Sequence, residues 1–404
     1  MGIVTNVGKA YLKAQASGWG TAETSFAGAD NISCKPILPQ LVQEALIAQT
    51  FRGGWHALPI EPGSLEGATL QIEHVLQGTS LTTPVGNPTD SPDSLCLKSV
   101  LGSRAGYGYT DTQLYATGQT VNNVKFANAA ITSAIAGMAM LVPVVGGGRD
   151  VVWAKTFTDG AQEDVVPWLQ MTAAADPAGT PKTYGGLVHW LSMVQPDPFT
   201  AQIELQSDAC VRFRDCVCVG SKLMIVAGQQ PVITHSLRAG FWSPQTAGAT
   251  AFYANTYPEL PAVFGANGAN FRYNGNGQAF PSVEIEFANT VIPSRSIGAA
   301  DGFRKWITTE REVKVTITEL LEINEYVSQL YALGEELGAV QVDMCTTPGR
   351  GASVFLPNRQ VAEMAKDEDA SGIVVRKTVH KARFETTETA GANAAGSVAR
   401  IALF

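Results

Sequence analysis

The cysteines and histidines are the residues whose spacing could carry chemistry, and the sequence holds six of the first and five of the second. The cysteines are Cys34, Cys96, Cys210, Cys216, Cys218 and Cys345, and only Cys210-x5-Cys216-x-Cys218 forms a cluster. Structural zinc sites favour C-x2-C pairs, and no second cluster or neighbouring His completes this one. Cys216 and Cys218 share one face of an expected strand, so they read as free, packed thiols of a protein made in a reducing cytosol. His56, His74, His189, His235 and His380 are scattered, without the i,i+4 spacing of a helical metal site. A composite site assembled from distant residues stays open. Gly146-Gly147-Gly148-Arg149-Asp150 lacks the Gly-Lys-Ser/Thr of a phosphate loop and reads as a turn. Asp367-Glu368-Asp369 lacks the ligand spacing of a calcium loop and reads as a solvated acidic turn. No Gly-x-Ser-x-Gly nucleophile elbow occurs. The sequence therefore assigns no catalytic residue, no cofactor-binding residue and no metal ligand, and it points away from an enzyme.

The elements around these residues read as β. Val283-Glu284-Ile285-Glu286-Phe287 and Val313-Lys314-Val315-Thr316-Ile317 alternate with period two, which predicts two half-buried antiparallel strands. Pro293 to Gly302 is the turn-rich link between them. Leu320, Ile323, Val327 and Leu330 predict a helix closed by Gly334. Leu70 and Ile72 against Gln71 and Glu73 predict a strand over Leu65–Leu76. Asp93 is the expected cap of a short helix, Ser94–Leu101, ended by Gly102. Strand, loop and helix over Leu65–Gly102 loosely echo the Val283–Gly334 unit. A second short helix is expected within Leu41–Ile47. Cys210–Val219 and Leu223–Val226 read as a hairpin about Gly220-Ser221. Further strands are expected at Phe199–Leu205, Val232–Trp242, Ala339–Met344, Ser353–Leu356, Ile373–Phe384 and Val398–Phe404.

The chain has 404 residues, enough for two ordinary domains or one large β-rich one. Forty glycines and 21 prolines indicate many turns and short strands. A formal net charge of −8 argues against wrapping DNA through a basic surface. Met1 to Ala16 lacks the continuous apolar run of a secretion signal, and the small-residue run Ala129–Val145 reads as buried structure, not a membrane span. The expected division is an N-terminal arm (1–30) and a first β domain (31–242) with an insertion around 118–185. A linker (243–281), dense in Ala, Gly and Asn, and a second β domain (282–404) complete it. Glu319 to Thr347 carries acid without Lys or Arg, and basic residues return from Arg350 onward. Such segregation suits head-to-tail contacts between copies.

Several stretches resemble the tail tube proteins of long-tailed, siphovirus-type bacteriophages. Ser282-Val-Glu-Ile-Glu-Phe-Ala-Asn-Thr-Val-Ile-Pro293, the turn Ala300-Asp301-Gly302 and Ile307-Thr308-Thr309-Glu310-Arg311-Glu312-Val313 are similar to that family's strand, exit, turn and returning strand. Ala16-Ser17-Gly18-Trp19-Gly20-Thr21-Ala22-Glu23 is similar to its glycine-aromatic-glycine opening, Arg52-Gly53-Gly54 to its Arg-Gly-Gly turn, and Cys216 to Phe241 to its midchain hairpin. The Trp-bearing segment Gly118–Gly185 has no counterpart.

The resemblance implies a mainly β, sandwich- or barrel-like tail tube fold with a flanking helix, two tube-like units in one chain, and no cofactor. It implies self-assembly into stacked rings, as a homotrimeric pseudo-hexamer or a homohexamer, in a virion tail made in the host cytoplasm. Other tail proteins are its partners, and double-stranded DNA passes without specific binding. Ring closure would remove open sheet edges. An acid-lined channel would repel the duplex, and Glu284, Glu286 and Glu312 are the expected lumen-facing residues because their strands alternate acid with apolar. One rival reading is another shell component such as a major capsid protein, which predicts a long spine helix. The other is a β-rich polysaccharide-acting enzyme, which predicts a cleft with two close acids.

Overall fold

The structure, a computed structural model, describes residues 9–35, 45–47, 60–62, 68–79, 91–106, 114–127, 137–158, 162–177, 183–206, 209–245, 256–273, 276–277, 281–298, 303–320, 336–370, 373–382 and 397–404. In chain order the strands begin with β1 Lys9–Ala14, β2 Asn31–Ser33, β3 Ala45–Ile47, β4 Ile60–Pro62 and β5 Thr69–Val75. Helix α1, Pro92–Leu101, precedes β6 Gly102–Gly106, β7 Val124–Ala127, β8 Ala139–Pro143, β9 Arg149–Thr158, β10 Gln162–Pro167 and β11 Tyr184–Gly185. Next come β12 Leu187–Leu191, β13 Phe199–Gln206, β14 Ala209–Val226, β15 Val232–Arg238, β16 Phe241–Gln245, β17 Asn270–Tyr273 and β18 Asn276–Gly277. The chain continues with β19 Ser282–Arg295, β20 Phe303–Leu320, β21 Glu336–Leu337, β22 Val340–Cys345 and β23 Ala352–Leu356. It closes with β24 Arg359–Ala370, β25 Ile373–Ala382 and β26 Arg400–Leu403. The protein is mainly β and its strand pairs are antiparallel, with α1 the one α-helix among the described residues.

Three sheets stack in layers. A 12-stranded sheet runs β2-β1-β13-β14-β19-β20-β25-β24-β21, with β15, β5 and β16 branching from β14. A seven-stranded sheet, β18-β17-β22-β23-β26-β12-β6, lies between it and a five-stranded sheet, β11-β8-β9-β10-β7. The middle sheet's central strands β22, β23 and β26 are buried along their whole length, and the run Val354-Phe355-Leu356 of β23 is apolar without alternation. Val354, Leu356, Ile401 and Leu403 pack toward the large sheet, while Phe355, Ala402 and Phe404 pack toward the small one. The Gly118–Gly185 insertion supplies β7 to β11, and its Trp153 ring stacks on Phe355 at 5.5 Å. Strands from the expected first and second domains run side by side: β14 pairs β19, and β12 pairs β26.

Several expected elements change. Gly220-Ser221 does not turn the chain, and Ala209–Val226 is one strand of 18 residues. At ~3.3 Å per residue it spans roughly 60 Å. Its first half pairs β13 and β16 and its second half pairs β15 and β19. The expected strand Val232–Trp242 accordingly splits into β15 and β16, one for each half. The split falls at Gly240, where an added Cβ would sit 2.6 Å from the Phe303 ring. Part of the expected arm, Lys9–Ala14, is a sheet strand that buries Ala10, Tyr11 and Leu12. Ala45–Ile47 is a strand and not a helix. Asp367-Glu368-Asp369 belongs to β24, paired with β25, and is not a turn. Pro293 to Arg295 extend β19. Leu320 ends β20, and the helix expected beyond it lies outside the described residues, as do His56 and most of the loop Gly78–Pro92.

Asp215 marks the point where β14 changes partners. It is the one described non-glycine residue with positive φ, at 58°. Asn and Asp tolerate this left-handed region better than other side-chain-bearing residues.

Candidate functional site

The face expected to carry acid is the solvent side of the large sheet. In β19 the alternation holds: Val283, Ile285 and Phe287 are buried, while Glu284 and Glu286 point outward. Glu312 of β20 lies on the same face. Glu284 and Glu312 each meet lysine on a neighbouring strand, and Glu312 also meets one on its own strand. Lys222 Nζ lies 2.8 Å from Glu284, and Lys314 and Lys381 lie 3.3 and 2.5 Å from Glu312. Glu286 stands in register between Lys222 and Lys314. The Lys381 bond, opposed by partial burial and aided by Lys314, holds the Glu312 carboxyl below its ordinary range. The face is thus a lattice of alternating charge, not the uninterrupted acid surface expected from β19 alone. Cross-strand neighbours decide this, and a single strand's alternation does not reveal them.

A second assembly lies under α1. Asp93 is fully buried; its Oδ1 is 2.9 Å from both His74 Nε2 and His235 Nε2, and its Oδ2 accepts from the Gln77 amide at 2.9 Å. Burial works against the carboxylate, but His74 and His235 hold it well below its usual range. His235 Nδ1 lies 2.7 Å from Ser221 Oγ, which lies 3.4 Å from Cys218 Sγ. Cys96, Cys218 and His235 bring their ligating atoms within 4.8 Å of one another, as do His74, Asp93 and His235. Burial lowers His235, yet Asp93 and Cys218 raise it to about 9. Burial pushes the Cys96 thiol up, with Cys218 adding to it. Burial also pushes against the Cys218 thiolate, but Cys96, His235 and Ser221 pull this thiol well below its ordinary value.

The local folding of each element explains the assembly. Ser91, not Asp93, caps α1, accepting from the Ser94 amide at 3.2 Å, and Pro92 starts the helix. Asp93 is thereby free to face the histidines. In β14 the register slips between Cys218 and Gly220. This bulge lets Cys218 and Ser221, three residues apart, both point inward, where an unbroken strand would send them to opposite faces. The Cys218 amide donates to Ser99 Oγ of α1 at 2.9 Å, which fixes helix against strand. Next to it, His189 Nε2 lies 2.9 Å from Ser94 Oγ, and Arg104 donates to the same hydroxyl at 3.1 Å.

Ser221, His235 and Asp93 share the composition of a hydrolytic triad. The imidazole is reversed relative to the usual order, with Nδ1 toward Ser and Nε2 toward Asp. All three side chains are sealed from solvent, so no substrate carbonyl reaches the hydroxyl. Neither Cys210 nor Cys216 joins the group, and His380 lies elsewhere, 3.0 Å from Arg359 Nη1. The sequence cluster Cys210-x5-Cys216-x-Cys218 therefore contributes one member to it. The missed partners, Cys96 and His235, sit on a helix and a neighbouring strand without local spacing to betray them.

A concavity of about 270 Å³ opens between β14, β17 and β22, lined by Ile225, Val263, Phe264, Phe271 and Val342 with Asp343 as its one acid. Asp343 is already engaged by Arg272 at 3.0 Å. A second concavity, beside α1, is lined by Lys98, Arg104 and Asp197 and likewise holds one acid. Among the described residues, no helix is long and apolar enough to cross a membrane.

No protein-family model matches the chain, and no curated protein matches it.

Proposed function

We propose that this chain is a structural virion protein of the phage tail tube type. In this reading it polymerises into stacked rings, of three or six copies, that conduct double-stranded DNA and join other tail proteins. The observation that carries the reading is the outer half of the β19–β20 hairpin. β14 pairs with β19 only as far as Ala288, and β25 pairs with β20 only from Lys314. Among the described residues, β19 and β20 pair beyond those points with no further strand, out to Arg295 and Phe303. A two-stranded ribbon is marginal by itself, and its outer edges are templates for strands of another chain. One face of the ribbon is anchored: Val291 and Trp306 pack with Val217, Trp19 and Phe303. The other presents Ile292, 49% exposed, and the tip presents Ile297 fully exposed. Gln195 engages the backbone of Thr308 within the ribbon, and the exposed isoleucines beyond it suit a second copy.

The charged face supports the same reading. Lys222, Lys314 and Lys381 are each matched to a carboxylate, which leaves these three lysines little free charge for DNA phosphates to grip.

The double variant Ile292→Asp/Ile297→Asp tests the ribbon. Two isoleucines buried at a contact contribute roughly 1.5–3 kcal/mol each. Their loss should cut the pelletable polymer fraction at least ~10-fold while leaving the melting temperature of the single chain unchanged. Unaltered polymer yield would remove the ribbon from the assembly contact.

A further inference from the structure

The assembly under α1 has no part in the tube reading, and its donor set is that of a metal site. We propose that Cys96, Cys218 and His235 bind a single thiophilic cation, zinc in the cell, with Ser221 Oγ closing the fourth position.

The geometry fits on four counts. First, the donors are two thiols, an imidazole and a hydroxyl. Soft sulfur with imidazole selects zinc over the oxygen-seeking magnesium and calcium. Second, the donors are already drawn together. In a tetrahedron with Zn–S of about 2.3 Å and Zn–N of about 2.0 Å, neighbouring donors stand roughly 3.3–3.8 Å apart. Cys218 Sγ and Ser221 Oγ are 3.4 Å apart, and the three principal donors all lie within 4.8 Å of one another. Third, His235 is oriented for ligation. Its Nε2 faces Asp93 at 2.9 Å, which orients the ring and turns Nδ1 toward Ser221 and the sulfur side. A carboxylate behind a ligating imidazole is the usual supporting arrangement of zinc histidines. Asp93 is itself held by the Gln77 amide and by His74. Fourth, the bulge at Val219-Gly220 brings Cys218 and Ser221 to one face, so the backbone departs from a regular strand at the point the donors require.

His74, Asp93 and His235 form an alternative trio. This trio has no sulfur donor, so a thiophilic cation goes to the cysteine side, and the carboxylate behind His235 supplies the support. The cation would join α1, β14 and β15 at one point. Because Cys96, Cys218 and His235 are sealed, it would enter as the chain folds. This departs from the sequence-based expectation of a chain without metal ligands.

The full chain, expressed in minimal medium with zinc or cobalt and purified under reducing conditions without chelator, provides the test. We expect about one equivalent of metal per chain. The cobalt protein should show a thiolate-to-cobalt charge-transfer band in the near ultraviolet. Cys96→Ala and Cys218→Ser should each lose that band and at least ~10-fold of the bound metal, and Asp93→Asn should weaken binding about 10–100-fold. Cys345→Ser, outside the cluster, should keep both. Folded wild-type protein without metal and without the band overturns the proposal. So does metal retained undiminished in Cys96→Ala, or lost equally in Cys345→Ser. If Cys218→Ser fails to fold, the wild-type metal content and Cys96→Ala still distinguish a bound cation from an empty cluster.

Discussion

Replacing Arg272 with methionine is expected to lower the free energy of unfolding by about 3–5 kcal/mol, the range for breaking a buried charge pair from one side. The guanidinium is buried where the middle and small sheets meet. It binds Asp150, donates to Asp343 at 3.0 Å, and donates to the carbonyls of Gln170 and Val151 at 3.0 and 3.2 Å. Around it Ser353 donates to Asp343 at 2.7 Å, Gln341 reaches Asp343 and Val151, and the Trp153 indole donates to Ser353 at 3.0 Å. Without the cation, two buried carboxylates face each other. Burial already pushes the Asp343 carboxyl up, with Arg272 opposing and Asp150 adding.

In the variant that rise loses its largest opposition, with only the Ser353 and Gln341 hydrogen bonds left against it, and its sign sets a pH dependence. A carboxyl raised in the folded state binds its proton there more readily than in the unfolded chain. Stability is then lost as pH climbs above the unfolded value. The deficit of Arg272→Met should therefore be smaller near pH 4 than at pH 7. Asp150→Asn and Asp343→Asn added to Arg272→Met remove the stranded charges and should recover at least about half of the loss. Urea titration followed by tryptophan fluorescence measures all three, since Trp153 lies in the network. A deficit under about 1 kcal/mol at pH 7 would show that the network does not join these layers.

Asp215→Ala is the second large effect, expected at about 3 kcal/mol from the loss of charge-assisted bonds and a conformation alanine resists. The carboxylate accepts from Gln15 Nε2 at 3.0 Å, from the Gly20 amide at 2.7 Å and from Arg214 Nε at 2.9 Å. The backbone carbonyl of Asp215 receives the Trp306 indole at 3.0 Å. One residue therefore ties the segment after β1 to β14 and to the ribbon. Asp215→Gly separates the two causes. Glycine adopts the left-handed backbone freely, so it should be about 1 kcal/mol less damaging than alanine while losing the same bonds. Equal melting curves for the two variants would mean that positive φ costs nothing here. Limited proteolysis near Gly18 should quicken in both.

These two sites show what is legible in the sequence and what is not. The β class and the inward set Val283, Ile285 and Phe287 follow from alternation, because one face of β19 is wet. Val354, Phe355 and Leu356 carry no alternation, because both faces of their strand are dry. Layer order is therefore hidden. The break in phase at Gly220-Ser221 is real, but a bulge and a turn leave the same mark on one strand, and only the partners β15 and β19 distinguish them. Asp93 has the look of a helix cap because it precedes Ser94–Leu101. Ser91 takes that role, which leaves Asp93 to the histidines. Arg272 lies 122 positions from Asp150 and 71 from Asp343, and the three have no local signature. The same holds for Cys96, Cys218 and His235, which meet only because α1 lies across β14.

On the proposed reading, this chain completes its sheets with copies of itself. Negative-stain electron microscopy of the purified full chain, over a rising concentration series, reads that outcome directly. Hollow tubes built of stacked rings are the predicted result. Discrete single particles at every concentration would contradict it.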